Sequence, residues 1–346
     1  MINNKISENQ CLFLVFLMKF VTLIFNITLT EETGELGFIL FAFALGGVLN
    51  YLIVLPFLFI IKKESYIENF RNKKGPGFIF LILIGIIFIM RLASFTSFYN
   101  IGVFPDFSTT FFAVTCLLVS IYNARKGIEG ISRSSVILLP LLVFSLFVIS
   151  LLILGNGIEN SSKIALSDNF LKGTQNQMIY TSATSFDGIF LFLLAPYIDK
   201  RDKIHKKYIF WLLGYVLFLV FMTFAILLSY GKYSGNLNFI YFISARNTGL
   251  GTFIERFEAI HVALWVLCVI PFFSAIMVMM QDIIKNKGIL SLFIIGTVFT
   301  TLNFFLTFKY TYLYNIFINR IFNIIIGALI IILPYIILIF GRRKRK

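Results

Sequence analysis

Apolar stretches of about 20 residues, separated by short charged loops, recur from Cys11 to Phe340. A stretch of that length spans the hydrocarbon core of a bilayer as an α-helix, and no soluble fold of this size needs so many. The pattern predicts ten spans, at 11–29, 36–61, 77–99, 107–123, 135–154, 178–198, 208–230, 258–281, 288–308 and 318–340. The fold class is therefore an all-α polytopic membrane protein, with residues 1–346 forming a single integral membrane domain. Only 13% of residues are charged, against about 25% in soluble domains, so the two longest gaps (Gly155 to Gln177 and Gly231 to Phe257) suit loops or lids.

A net charge of +14 would ordinarily raise nucleic-acid binding, so the placement of the charge decides its meaning. One set of alternate loops holds Lys5, Lys62, Lys63, Arg71, Lys73, Lys74, Arg125, Lys126, Arg133, Lys200, Arg201, Lys203, Lys206, Lys207, Lys285, Lys287 and the terminal Arg342 to Lys346. The other set holds Lys163, Lys172, Lys232, Arg246, Arg256, Lys309 and Arg320. The positive-inside rule then puts both termini in the cytoplasm, with the basic tail 341–346 anchoring to anionic lipid and no role in binding nucleic acid. The first span reads as retained, since no small-residue cleavage site follows it. Cys11, Cys116 and Cys268 lie in three different spans with no paired spacing, and read as buried small hydrophobes.

Ionisable residues in hydrocarbon are costly, and they are the functional candidates. Lys19 sits about eight residues into the first span, too deep to reach an interface cheaply; Arg91 lies two-thirds of the way across the third, and Asp187 inside the sixth. Glu258, His261 and Trp265 share one face of the eighth span, as either an interfacial cap or part of a site. His205, in a basic loop, reads as solvated. The sixth span departs most from a uniform helix: Tyr180 to Gly188 is small and polar, and only about ten apolar residues follow. Unwound backbone at membrane depth is tolerated where it lines a cavity, so spans one and six are candidates for broken helices. They open two five-span halves, 11–154 and 178–340, and an odd number of spans per half inverts the second relative to the first. Ser and Thr acting only as glue between helices is the competing reading.

Several segments resemble the spore germination permease family, the B subunits of nutrient germinant receptors. They are Lys5-Ile-Ser-Glu-Asn-Gln10, Met90-Arg91-Leu92 with Phe95 and Phe98, Lys126-Gly-Ile-Glu-Gly-Ile-Ser-Arg133 running on to Pro140, and Ile254-Glu-Arg-Phe-Glu258 with Trp265. The resemblance implies the amino acid–polyamine–organocation superfamily and a leucine-transporter-type fold of two inverted five-helix repeats. It also implies a small-nutrient site among spans one, three, six and eight, and two partner subunits, one a membrane protein with large soluble domains and the other a lipoprotein. The implied location is the inner membrane of the spore. Where the family usually has Gly early in the first span, Phe20 follows Lys19, and a Phe resists the strained backbone that Gly permits.

The candidate ligand-binding residues are Lys19, Phe20 and Thr22 in span one, Arg91 in span three, Ser182, Thr184, Ser185 and Asp187 in span six, and Trp265 in span eight. Lys19 or Arg91 would pair with the carboxylate of an amino acid and Asp187 with its amino group. No cofactor, metal site or catalytic residue is expected. The leading reading is a nutrient-sensing subunit of a germinant receptor; the alternative is a secondary amino-acid transporter coupled to protons or sodium, for which Asp187 is the one acidic carrier inside a span. A membrane enzyme is a distant third: Glu255 and Glu258 are the nearest approach to a carboxylate pair.

Overall fold

A computed structural model describes residues 5–26, 36–63, 74–99, 103, 108–157, 178, 186–230, 240–247, 257–285, 288–308 and 320–341. The described residues form helices α1 (Glu8–Asn26), α2 (Leu36–Ile61), α3 (Lys74–Phe98), α4 (Thr109–Ala124), α5 (Gly127–Gly157) and α6 (Asp187–Leu194). After the 3₁₀ turn Ala195–Tyr197 come α7 (Ile204–Tyr230), the short α8 (Ile240–Arg246), α9 (Phe257–Ile284), α10 (Ile289–Phe308) and α11 (Arg320–Gly341). The described parts of α2, α3, α5, α7 and α9 are long and apolar enough to cross a bilayer.

Local sequence accounts for the boundaries. Ser7 and Gln10 form a capping box at the start of α1: the Gln10 amide donates to Ser7 Oγ at 3.2 Å, and the Ser7 amide donates to Gln10 Oε1 at 2.9 Å. Gly127 adopts φ 73°, the left-handed conformation a residue without Cβ takes freely, and this lets α5 start straight after Arg125 and Lys126. Glu129 and Arg133 pair across one turn at 2.6 Å on the surface of α5.

Expectation and structure differ at the first span. α1 runs unbroken through Lys19 and Phe20. The reason is packing: the Phe20 ring is buried edge-on against Tyr215 and Phe218 of α7, with centroids at 5.1 and 5.5 Å, so this turn is held as helix. In the sixth span the described helix α6 is Asp187–Leu194, and residues 179–185 of the predicted stretch lie outside the described residues.

The core is built around α1, α5 and α9. α9 packs against α5, α4, α1 and α3, while α1 also meets α5, α6 and α7; α2 lies along α7 and α6. The outward faces carry bare apolar side chains such as Phe78, Ile137, Phe144, Phe210 and Leu217, the surface expected of helices whose solvent is lipid. Polar groups between helices are satisfied across them: Ser274 of α9 donates to the Ser120 carbonyl of α4 at 3.0 Å, and Ser229 of α7 to the Ile153 carbonyl of α5 at 2.8 Å.

The lysine-rich end is tied together by the segment before α1. Ile6 pairs in parallel with Ile198: its amide donates to the Tyr197 carbonyl at 2.8 Å, and its carbonyl accepts from Asp199 at 3.1 Å. Glu8 accepts from the Lys203 amide at 2.7 Å and pairs with Lys207 at 2.8 Å, and Tyr197 donates to Asp282 at the end of α9. His205 is half-buried here, not solvated. Its ring stacks parallel on Tyr51 and its Nε2 lies 2.7 Å from the Tyr51 hydroxyl, because α7 starts directly alongside α2.

Candidate functional site

Lys19 and Asp187 form an ion pair in the middle of the helix bundle. Lys19 lies 11 residues into α1, about 16 Å along its axis. Its side chain is 5% exposed and that of Asp187 4%, so both charges have left solvent. Isolated, each would cost several kcal/mol; paired, each supplies the counter-charge that makes the other tolerable. Asp187 is the first residue of α6, where the helix dipole favours negative charge. The next residue must be glycine, because a Cβ on Gly188 would sit 2.5 Å from the buried ring of Phe57.

The pair sits in a designed surround. The Tyr208 hydroxyl of α7 donates to Asp187 Oδ2 at 2.9 Å and lies 3.2 Å from the side-chain amide of Asn50 on α2. The Lys19 ammonium stands 4.7 Å from the ring centre of Tyr215 and 5.8 Å from that of Phe16, where aromatic faces attract a cation. Thr22 spends its hydroxyl on the Lys19 carbonyl at 2.9 Å, within α1.

Arg91 of α3 is 2% exposed and holds its guanidinium 5.2 Å above the ring of Phe186, the residue before Asp187. A second cation therefore lies beside the same helix start. Trp265 of α9 donates from Nε1 to the Val21 carbonyl of α1 at 3.1 Å and packs on Phe95 and Phe98 of α3. It couples three elements next to the pair.

The structure thus gathers Lys19, Thr22, Arg91, Asp187 and Trp265 around the meeting of α1, α3, α6 and α9. It turns Phe20 to the α7 side as packing. Ser182, Thr184 and Ser185 lie outside the described residues, and Glu258 is described only in its backbone. Sequence reasoning missed Tyr208, Asn50, Tyr215 and Phe186. Asn50 carried a signal, being a polar residue in the apolar run 36–61, but a search for ionisable groups passes over amides. Tyr208 opens the predicted seventh span, and nothing in the sequence singled it out from the other tyrosines.

Known proteins place the chain in a family and a fold. The family model described as spore germination protein matches residues 5–307. Spore germination protein XB of Bacillus anthracis is 23% identical over 256 residues, covering 68% of this chain and 69% of that protein. Among solved structures, MhsT in complex with L-phenylalanine superposes with a TM-score of 0.56 at 16% identity, covering 92% of this chain and 87% of that one. That similarity is one of fold, and the fold is transporter-like. With a match across nearly its whole length, the chain belongs to the spore germination protein family, as a transporter-like membrane member.

Proposed function

We propose that this chain is the nutrient-sensing, transporter-like subunit of a spore germinant receptor, and that the Lys19–Asp187 pair is where the nutrient acts. The observation that carries the reading is the ion pair itself: two opposite charges, buried within the helix bundle and held by Tyr208. A zwitterionic amino acid presents the same two charges. Its carboxylate can replace Asp187 as the partner of Lys19, or take Arg91, while its ammonium takes Asp187. Ligand-free, the protein satisfies these charges internally; ligand-bound, the amino acid does so. Such an exchange alters the contacts between α1 and α6, and a ligand that binds the two arrangements unequally shifts the population between them. The presence of L-phenylalanine in MhsT, a protein of similar fold, supports an amino acid as the ligand class.

In this reading the chain has ten spans in two inverted five-helix repeats, 11–154 and 178–340, with both termini and the tail 341–346 in the cytoplasm. It resides in the inner membrane of the spore. Its two receptor partners, a membrane protein with soluble domains and a lipoprotein, read the shift. The function is binding and signalling, without catalysis. A second reading, secondary transport of an amino acid coupled to protons or sodium, rests on the same pair, because protonation of Asp187 would release Lys19.

The test is a thermal-shift screen of purified full-length protein against single amino acids. A ligand at 100 times its Kd stabilises by about 2.7 kcal/mol, and we expect one or a few amino acids to do so and to lose the effect in Asp187→Asn. No stabilisation by any amino acid would refute the proposed ligand class. Uptake of the labelled hit into proteoliposomes, driven by an ion gradient, would favour the transporter.

A further inference from the structure

The corner between α4 and α5, Arg125 and Lys126-Gly-Ile-Glu-Gly-Ile-Ser-Arg133, takes no part in the Lys19–Asp187 site. Contacts with α9 fix its height in the bundle. Ser274 of α9 donates to the Ser120 carbonyl and accepts from the Asn123 side chain, both near the end of α4. Asp282, which joins Tyr197 at the lysine-rich end, is about two turns further along α9. On α5 the Leu138 carbonyl meets Cys268 and Ser145 meets His261, so α5 runs antiparallel to α9. The start of α5 is then level with the last turns of α9. The corner therefore lies at the lysine-rich end, where the helices leave the apolar zone.

Its backbone is fixed. The Arg125 amide donates to the Ile121 carbonyl at 3.2 Å and the Lys126 amide to the Asn123 carbonyl at 3.0 Å, and Gly127 then turns the chain. Gly130 passes close under Lys126: a Cβ there would stand 3.0 Å from the Lys126 Cβ. The Lys126 side chain points back along α4, with its ammonium 5.4 Å from the ring centre of Tyr122. Tyr122 is 62% exposed and Leu118, one turn before it, 53%, so this ring belongs to the surface that faces lipid. Lys126 thus lays its charge on the bilayer side of the bundle, at the height of the headgroups. Arg125 is exposed next to it. Arg133 and Glu129 neutralise each other at 2.6 Å, which leaves the corner with the two charges of Arg125 and Lys126.

A topology signal requires only that cations sit at this end of the bundle. It gives no reason to hold one over an outward-facing aromatic ring. A lipid phosphate does, because it lies where that ring meets the headgroups and carries the opposite charge. We propose that the α4–α5 corner binds an anionic phospholipid, with its phosphate on Arg125 and Lys126 and an acyl chain along Leu118 and Tyr122. The site is distinct from the basic tail 341–346 and does not depend on the nutrient pocket.

The test is native mass spectrometry of purified full-length protein in detergent, titrated with phosphatidylglycerol or with phosphatidylcholine. The first phosphatidylglycerol should bind more tightly than phosphatidylcholine. Arg125→Gln/Lys126→Gln should weaken that event about 30-fold, from about fivefold for each basic residue, and leave phosphatidylcholine unchanged. Both side chains are exposed, so the fold is spared, which a monodisperse gel-filtration peak checks. Lys200→Gln/Lys206→Gln removes the same net charge from exposed positions elsewhere at this end and should leave the event near the parent's. Tyr122→Leu, which frees the Lys126 ammonium, should weaken it less than the double charge loss does. Inorganic phosphate at equal concentration should not displace the lipid. Equal binding of the two lipids, an unchanged preference in the Arg125→Gln/Lys126→Gln protein, or an equal loss in the Lys200→Gln/Lys206→Gln protein would each overturn the proposal.

Discussion

Removing one charge of the Lys19–Asp187 pair should be far worse than removing both. Both side chains are at most 5% exposed, so Lys19→Met leaves a carboxylate, and Asp187→Asn an ammonium, stranded in a low-dielectric core. Breaking a buried pair from one side costs about 3–5 kcal/mol, while replacing both partners with uncharged residues of similar shape is close to neutral. Asn at 187 can still accept from Tyr208, 2.9 Å away, and Met keeps the bulk of Lys19 between the rings of Phe16 and Tyr215. At about 2 °C per kcal/mol for a chain of this size, each single variant should lose about 6–10 °C in Tm. Lys19→Met/Asp187→Asn should lie within about 3 °C of the parent. The assay is heating of purified protein in detergent, followed by size-exclusion chromatography of what remains monodisperse. Additive losses in the double variant would refute the reasoning, because they would mean that the two charges do not sustain each other.

Gly188→Ala drives a Cβ to 2.5 Å from the Phe57 ring and should cost about 1–3 kcal/mol, read as a lower Tm in the same assay. Trp265→Phe keeps the aromatic packing but deletes the 3.1 Å bond to Val21, so the loss should be smaller, about 0.5–1.5 kcal/mol. Cys11, Cys116 and Cys268 are all buried, so a maleimide should leave the native protein in membranes unlabelled and label three sites after denaturation in SDS; rapid native labelling would contradict the packing of α1, α4 and α9.

The helices were legible because a bilayer imposes length: α2, α3 and α9 fall on their apolar runs with ends shifted by a few residues. That Lys19 and Asp187 would each matter could be read from their cost in hydrocarbon. Their pairing with each other across 168 residues of sequence could not, since it depends on how α1 and α6 pack. The same limit hid the contribution of Tyr208, which α7 brings to the carboxylate, and of Asn50, which α2 brings to the Tyr208 hydroxyl. It hid the stacking of His205 on Tyr51 as well, and the way Ile6 ties the chain start to the segment after α6.

The most direct test of the central claim is nutrient-triggered germination of spores lacking this chain, followed by loss of optical density across a panel of amino acids, sugars and salts. The account predicts that deletion abolishes the response to a specific nutrient and that the intact gene restores it. The Lys19→Met/Asp187→Asn variant, present in the membrane at the parent's level, should not restore it. Full restoration by that charge-free variant would contradict the claim that the buried pair receives the nutrient.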